Sequence, residues 1–200
     1  MFMAISTTTA CMVQNYDLEG ALTTLRKGGL ILYPTDTIWS IGCDATNAFA
    51  IEKVLQLKRG ASGHGIEILV DSVQMLKSYV RHLHPRIETL LTYHVRPLTV
   101  LFDNPHNVPQ NALDEDGYMA IRMAQDDYCR SLIAAFGKPL VASYANVANQ
   151  PIPSNFGAIS SEIIQGVDHV SKYRQHEKIT GRPSVMVRLS ERDELLFLRE

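Results

Sequence analysis

The stretch LILYPTDTIWSIGCD, residues 30–44, decides how the rest of the chain is interpreted. Its apolar start, LILY, predicts a buried strand, and Pro34 predicts the end of the ladder because proline has no N–H to donate. Two hydroxyl side chains, a carboxylate, the only tryptophan and a glycine follow, namely Thr35, Thr37, Asp36, Trp39 and Gly42. Ligands of open α/β sheets bind just beyond the carboxyl ends of strands. The stretch therefore predicts a binding loop on a rigid strand, with an ordinary strand-end turn as the alternative.

Length and composition bound the class of protein. Two hundred residues, 46% of them hydrophobic, predict one globular domain, for which we expect residues 13–200, preceded by an N-terminal arm, residues 1–12. A net charge of −2 argues against a strongly basic nucleic-acid-binding protein. No apolar run approaches the roughly 20 residues that span a bilayer. The first residues also lack the basic start and continuous apolar segment of a signal peptide.

The cysteines indicate a reducing compartment. Cys11, Cys43 and Cys129 are odd in number, far apart and without metal-ligand spacing. Disulfide frameworks belong to oxidising compartments, so we expect a cytoplasmic protein with no metal site built from cysteines.

Apolar periodicities along the chain alternate between helix and strand. Helices are predicted from caps at Asp17, Asn47 or Thr46, Ser72 (through Val80) and Asp126, and from Pro85 in a first turn. Strands are predicted at residues 30–33, 66–70, 98–102, 119–123, 139–143, 167–170, 184–187 and 195–198. The alternation indicates the α/β class. Strands 98–102 and 119–123 have no helix between them, so the sheet is expected to mix parallel and antiparallel neighbours.

Three polar clusters follow predicted elements: residues 35–37, residues 58–64 and residues 143–146. Each alone has an ordinary explanation, because Lys and Arg favour helix C-termini, and Ser and Asn favour turns. Together they suggest a cationic glycine-rich loop for phosphate, with hydroxyl and amide groups for a ribose or an amino acid. The common nucleotide fingerprints GxxxxGK[ST] and GxGxxG are absent. His82 and His84 lie among arginines and are interpreted as a solvated basic face.

Motifs along nearly the whole chain resemble one known family. GGLILYPTDTIWSIGCDA, residues 28–45, resembles the opening pattern GG-x-x-x-YPTDT-x-Y-G-L-G-C-D-A of the YrdC/YciO family, whose well-known members are L-threonylcarbamoyladenylate synthases. Further segments resemble the family's K-x-R-P-x-x-H-P-L, P-G-P-L-T, V-R-x-P, P-L-V-A-T-S-A-N, P-S-T and R-x-G in the same order, at residues 57–66, 97–99, 121–123, 139–146, 183–185 and 198–200. The resemblance implies a single-domain twisted mixed α/β sheet with flanking helices around a deep cleft.

The resemblance also implies a reaction and its residues. The family's synthases join L-threonine, bicarbonate and ATP, with Mg²⁺, into threonylcarbamoyl-AMP, which partner proteins use to modify tRNA. By matching position, Lys58 and Arg59 are expected to be catalytic. The residues expected to bind threonine are Thr35, Thr37, Trp39, His64 and Ser184. Those expected to bind the nucleotide are Lys58, Thr99, Arg122, Ser143 and Asn146; no residue is assigned to a metal.

Departures from the family pattern cluster in the expected site. Gly60 stands where K-x-R has its arginine, and Arg59 is one position early. Tyr144 replaces the serine of S-A-N, which removes a small hydroxyl and adds bulk. The sequence therefore predicts a divergent YciO-like protein with weakened or altered synthase activity. Two alternatives stay open: a small-molecule sensor, and a non-catalytic protein that binds double-stranded RNA or tRNA through the cations Lys58, Arg59, Arg96, Arg122 and Arg182.

Overall fold

A computed structural model describes residues 14–59, 65–103, 105–177 and 181–200, without the side chains of residues 14–17. The predicted N-terminal arm, residues 1–12, and His64 lie outside the described residues. Within the described parts of the chain, no helix combines the length and apolar character needed to cross a membrane.

The described residues form an α/β fold of nine strands and six α-helices. The strands are β1 (Ile31–Pro34), β2 (Trp39–Gly42), β3 (Glu67–Val70), β4 (Leu98–Phe102), β5 (Met119–Met123), β6 (Leu140–Tyr144), β7 (His169–Val170), β8 (Val185–Leu189) and β9 (Leu195–Arg199). The helices are α1 (Gln14–Arg26), α2 (Ala48–Lys58), α3 (Val73–Lys77), α4 (Pro85–Tyr93), α5 (Asp127–Phe136) and α6 (Ser161–Gly166). Helices and strands alternate along most of the chain, as predicted.

The strands form one mixed sheet in the order β7-β1-β2-β6-β3-β5-β4-β8-β9. Three neighbouring pairs are parallel, namely β1 with β7, β3 with β5, and β4 with β8. The other pairs are antiparallel, including β4 with β5, which lack a helix between them. The predicted mixture of directions is therefore confirmed.

The two faces of the sheet are covered to different extents. One face packs along its length against α2, α3, α4 and α6, through residues such as Ile51, Val54, Leu76, Ile87 and Ile163. On the other face, α1 and α5 pack only against the half of the sheet that contains β1, β6 and β3. Among the described residues, no helix packs on this face over β4, β8 and β9. The uncovered half, together with adjoining parts of β3, β5 and β6, lines a cavity.

Residues 31–42 form a tight hairpin of β1 and β2. β1 ends at Pro34, as predicted, although Pro34 still pairs with Trp39 as the last position of the strand. The prediction of a loop after Pro34 is thus wrong for residues 39–42, which form β2. The Thr35 hydroxyl closes the turn: it accepts from the Thr37 and Ile38 N–H groups and donates to the Ile38 carbonyl at 2.7 Å. The turn chemistry that was the alternative explanation is therefore present.

Most other elements lie where the sequence predicted them. The bounds of β4 and β5 agree with prediction, and Asn47, Ser72 and Asp126 cap their helices through side-chain oxygens. Two helix bounds were wrong. Helix α1 begins at Gln14, ahead of the predicted cap Asp17, and α3 ends at Lys77, three residues before Val80.

Candidate functional site

A buried arginine joins the β1–β2 turn to the centre of the sheet. Arg122 on β5 exposes 1% of its side chain and forms ion pairs with Asp36 in the turn and, at 2.9 Å, with Glu67 on β3. Its Nη2 also donates to the Thr37 hydroxyl at 3.3 Å. Burial lowers the pKa of Arg122 to about 10, so the guanidinium keeps its charge at neutral pH. Arg122 therefore fixes the turn against the floor of the cavity.

The second partner of Arg122 is the hub of a hydroxyl network. Glu67 Oε1 accepts from the Thr99 hydroxyl and, at 3.4 Å, from the Ser184 hydroxyl. The two hydroxyls are 2.6 Å apart. Arg199 on β9 holds Ser184 from the other side, through Nε to the carbonyl at 2.8 Å and Nη2 to the hydroxyl at 2.9 Å. Four strands and one loop thus place charged and hydroxyl groups around a single point.

The network opens into a cavity of about 200 Å³, which we call the central cavity. Its walls include charged, aromatic and small apolar side chains: Glu67, Ala120, Ala142, Tyr144, Met186 and Arg199. Cross-strand register puts Tyr144 opposite Ser40, and Glu67 opposite Ala142, so these side chains share the sheet face opposite α2, α3, α4 and α6. Burial raises the pKa of the Tyr144 hydroxyl, so it stays a neutral donor and acceptor. The combination of both charges with apolar walls suits a small polar ligand.

Lys58 belongs to a second cluster at the end of β6. Its Nζ donates to the Tyr144 carbonyl, to the Asn146 carbonyl at 2.8 Å and to Asn146 Oδ1 at 3.1 Å. Three acceptors match the three N–H bonds of an ammonium group. Burial lowers the pKa of Lys58 to about 8. In this arrangement Lys58 anchors the backbone on which Tyr144 is carried.

Three predicted site residues point elsewhere. Trp39 is 1% exposed in the core on the helix-covered face, with its ring 4.9 Å from that of Phe156. Ser143 lies opposite Ile41 on that same face and donates to the Gly65 carbonyl at 2.7 Å. Arg59 leaves the C-terminus of α2 toward solvent, with 69% of its side chain exposed, and pairs with Glu162 at 2.6 Å. Arg59 therefore does not take the place of the missing K-x-R arginine in this conformation.

The structure thus brings together five of the predicted site residues: Thr35, Thr37, Thr99, Arg122 and Ser184. It adds members that the sequence assigned no role, chiefly Glu67 and Arg199. A signal for Glu67 was present, because it is the one charged residue in the apolar run IEILV, residues 66–70. Charged residues are seldom buried without a partner, so such a position deserves a functional hypothesis.

The described residues contain no group of three or more His, Cys, Asp or Glu side chains that could hold a metal ion. Mg²⁺ prefers a few carboxylates together with substrate phosphates. The donor set of the described residues does not form a metal site of its own.

A sequence model of the Sua5_yciO_yrdC family, described as telomere recombination, matches residues 23–200. The chain belongs to this family. Among curated members of the Sua5/YciO/YrdC family, the threonylcarbamoyl-AMP synthase of Xanthomonas euvesicatoria pv. vesicatoria (strain 85-10) is 30% identical over 162 residues, which cover 80% of this chain and 87% of the relative.

Solved structures share the fold. Sua5 of P. abyssi, in a crystal structure with L-threonine, matches with a TM-score of 0.81 and 22% identity over 91% of this chain. This chain spans 53% of that longer one. YciO of E. coli matches with a TM-score of 0.79 and 20% identity, covering 94% of this chain and 89% of YciO. The predicted Sua5/YciO/YrdC fold, a twisted mixed sheet with flanking helices, is thereby confirmed.

Proposed function

We propose that this protein makes threonylcarbamoyl-AMP, or a close analogue, from L-threonine, bicarbonate and ATP. The observation that carries the proposal is the single network that joins Thr35, Thr37, Arg122, Thr99 and Ser184, five residues that the family resemblance assigns to substrates. The curated relatives named threonylcarbamoyl-AMP synthase support the same reaction.

The reaction needs the protein mainly to orient the substrates and to stabilise charge. The amine of threonine adds to carbon dioxide, and a carbamate oxygen then attacks the α-phosphorus of ATP, with pyrophosphate as the leaving group. Positioned hydrogen-bond donors and fixed charges can supply much of the rate enhancement of such a step. Arg122 is 1% exposed and pairs with both Asp36 and Glu67, so we assign it to holding the turn rather than to contacting phosphate.

Arg199 is the better candidate for an anionic substrate group. A guanidinium has five N–H donors, and Ser184 accepts from two nitrogens of Arg199. The side chain also lines the central cavity, so donors stay available for a carboxylate or phosphate oxygen. Lys58 binds the nucleotide when its ammonium group exchanges one of its three acceptors for a phosphate oxygen.

The test is a turnover assay with ATP, Mg²⁺, bicarbonate and L-threonine, in which mass spectrometry follows threonylcarbamoyl-AMP and a coupled assay follows pyrophosphate. We expect threonine-dependent product that disappears in Lys58→Ala. Lys77→Ala, a change of the same kind on the surface of α3, is the control and keeps full turnover. The absence of product from the wild-type protein, with the fold verified by circular dichroism, would overturn the proposal.

Three of the five cations that were predicted to bind RNA are engaged in other contacts. Of the five cations proposed to line one cleft, Arg122 is buried between two carboxylates, Lys58 is held by carbonyl groups, and Arg59 pairs with Glu162. We therefore favour the synthase. Binding of ATP with Mg²⁺, hand-over of the product to tRNA-modifying partners and a cytoplasmic location are parts of this proposal.

A further inference from the structure

Glu67 places a carboxylate at the floor of the central cavity. It is the first residue of β3, and 14% of its side chain is exposed. The cavity wall includes it, so the exposed part faces the ligand space. Burying a carboxylate costs several kcal/mol, roughly, unless partners compensate for lost water. Arg122, Thr99 and Ser184 are those partners, and the carboxylate still contributes to the cavity wall.

The charges around Glu67 balance only when a second cation is present. Arg122 carries one positive charge and serves two carboxylates, those of Asp36 and Glu67. Arg199, on the opposite side of Ser184, supplies the second positive charge. When an anionic substrate group occupies Arg199, the single charge of Arg122 faces both Asp36 and Glu67, and the cluster carries one negative charge in excess. A cationic group of the same ligand would neutralise it.

Glu67 and Arg199 line the same small cavity and are linked through Ser184. The Ser184 hydroxyl is 2.9 Å from Arg199 Nη2 and 3.4 Å from Glu67 Oε1. An α-amino acid carries its carboxylate and its ammonium group on one carbon, so a small ligand of this class presents both charges within one cavity. Opposite charges facing each other across a small cavity therefore match a zwitterion.

We propose that Glu67 binds the ammonium group of the amino-acid substrate and accepts the proton that this group loses before it adds to carbon dioxide. This inference rests on the proposed synthase function. Glu67 acts on the substrate directly and is therefore assigned as a catalytic residue.

The N–H bond of the ammonium breaks and its proton bonds to a Glu67 oxygen, which leaves the nitrogen lone pair free. That pair forms the C–N bond with carbon dioxide, while one C=O π pair moves onto oxygen. The nitrogen then releases a second proton to water, which gives the carbamate. Glu67 returns its proton to water before the next turnover.

The pKa of Glu67 also suits a residue that accepts a proton from the substrate amine. Burial raises its pKa to about 7, although hydrogen bonds from Thr99 and Ser184 and the charge of Arg199 oppose this rise. A base with a pKa near the working pH transfers protons most effectively. The titratable groups that face Glu67 or line its cavity come from several elements: Tyr33, Asp36, Asp114, Tyr118, Arg122, Tyr144 and Arg199.

The first test measures binding and needs no turnover. Isothermal titration calorimetry compares L-threonine with 3-hydroxybutanoate, which lacks the amine, on the wild-type protein and Glu67→Gln. We expect the wild type to prefer threonine by about tenfold or more, and Glu67→Gln to bind both alike. Glu88→Gln, the same change on the surface of α4, is the matched control and keeps the preference. An unchanged preference in Glu67→Gln overturns the inference.

The second test uses the pH dependence of kcat/KM for threonine. In the wild type kcat/KM should fall below about pH 7 as Glu67 takes up a proton. Glu67→Gln should be at least about tenfold slower at pH 7, with a deficit that shrinks as alkaline pH supplies free amine. ATP affinity, measured separately, should stay within about twofold, because a proton acceptor for the amine leaves nucleotide binding alone. Parallel pH profiles overturn the inference.

The two tests separate the inference from the proposed function. If the wild type makes product and Glu67→Gln has an unchanged profile, the synthase stands and the role of Glu67 fails. If the wild type makes no product but discriminates threonine from 3-hydroxybutanoate through Glu67, the synthase fails and the amine site stands, while the proton-acceptor role falls with the synthase.

Discussion

Gly181 lies so close to Thr37 that a β-carbon on Gly181 would overlap the Thr37 carbonyl oxygen. The segment before β8 therefore crosses the β1–β2 turn at the distance that only a glycine permits. Contact of this kind ties the segment that carries Ser184 to the turn that carries Thr35 and Asp36.

We expect Gly181→Ala to reduce the free energy of unfolding by about 2 to 3 kcal/mol, because the added methyl group meets backbone atoms that cannot rotate away. Gly117→Ala is the comparison: Gly117 has a positive φ of 83° with nothing within 4 Å of an added β-carbon, so only the backbone strain of about 1 kcal/mol applies. Urea unfolding measures both, and equal losses would contradict the close approach.

Arg122→Met should destabilise the fold by about 3 to 5 kcal/mol, because it strands two buried carboxylates without a cation. The matched change on the surface is Lys77→Met, which removes a half-exposed pair with Glu88 and should cost less than about 1 kcal/mol. Both are measured by urea unfolding at pH 7. Similar costs for the two variants would show that Asp36 and Glu67 do not depend on Arg122.

Glu67 should make the stability depend on pH in a definite direction. Its pKa in the folded state, about 7, lies above the unfolded value of about 4.3, so the native state binds more protons between these limits. Stability then falls as pH rises from 4.3 to 7, by about 1 to 3 kcal/mol in total. Glu67→Gln should lack this component. The free-energy difference between wild type and variant, measured from pH 5 to 8, should change with pH. A constant difference would rule out the raised pKa.

Tyr144 restricts the central cavity, and its removal should raise activity on threonine. Tyr144→Ser introduces the small hydroxyl of the family pattern and enlarges the cavity, so we expect kcat/KM to rise by about three- to tenfold. Tyr144→Phe keeps the bulk and should stay near the wild-type value. Pyrophosphate release measures all three proteins. Lower activity in Tyr144→Ser would mean that the tyrosine contributes to binding.

The sequence predicted those elements whose signal is local. Strands β4 and β5 are apolar runs with polar flanks, and Asn47, Ser72 and Asp126 are side chains with a direct capping role. The hairpin was missed because Pro34 and the Thr-Asp-Thr run also describe the end of a strand. The tight turn depends on the Thr35 hydroxyl, which accepts from two N–H groups and donates to one carbonyl.

The site was predictable only in part, because its contacts connect distant positions. Arg122 meets Asp36 across 86 residues, and Ser184 meets Glu67 across 117. Sequence periodicity does not report pairs of residues so far apart. The family resemblance predicted Arg122 and Ser184 as site residues, but it did not predict Glu67. The same resemblance assigned Ser143 and Trp39 to substrates, although the alternation of β6 and β2 turns both toward the helix-covered face.

The strand order has a consequence for synthesis on the ribosome. β2 has β1 on one side, and its other neighbour is β6, which is translated about one hundred residues later. At 5–20 residues per second, the apolar faces of the nascent hairpin wait roughly 5 to 20 seconds for that partner. Its apolar residues, Leu32 and Ile41 among them, would be exposed during this interval. We therefore expect the nascent chain to bind chaperones that shield hydrophobic segments at the ribosomal exit tunnel. In cells that lack these chaperones, the protein should accumulate as aggregate.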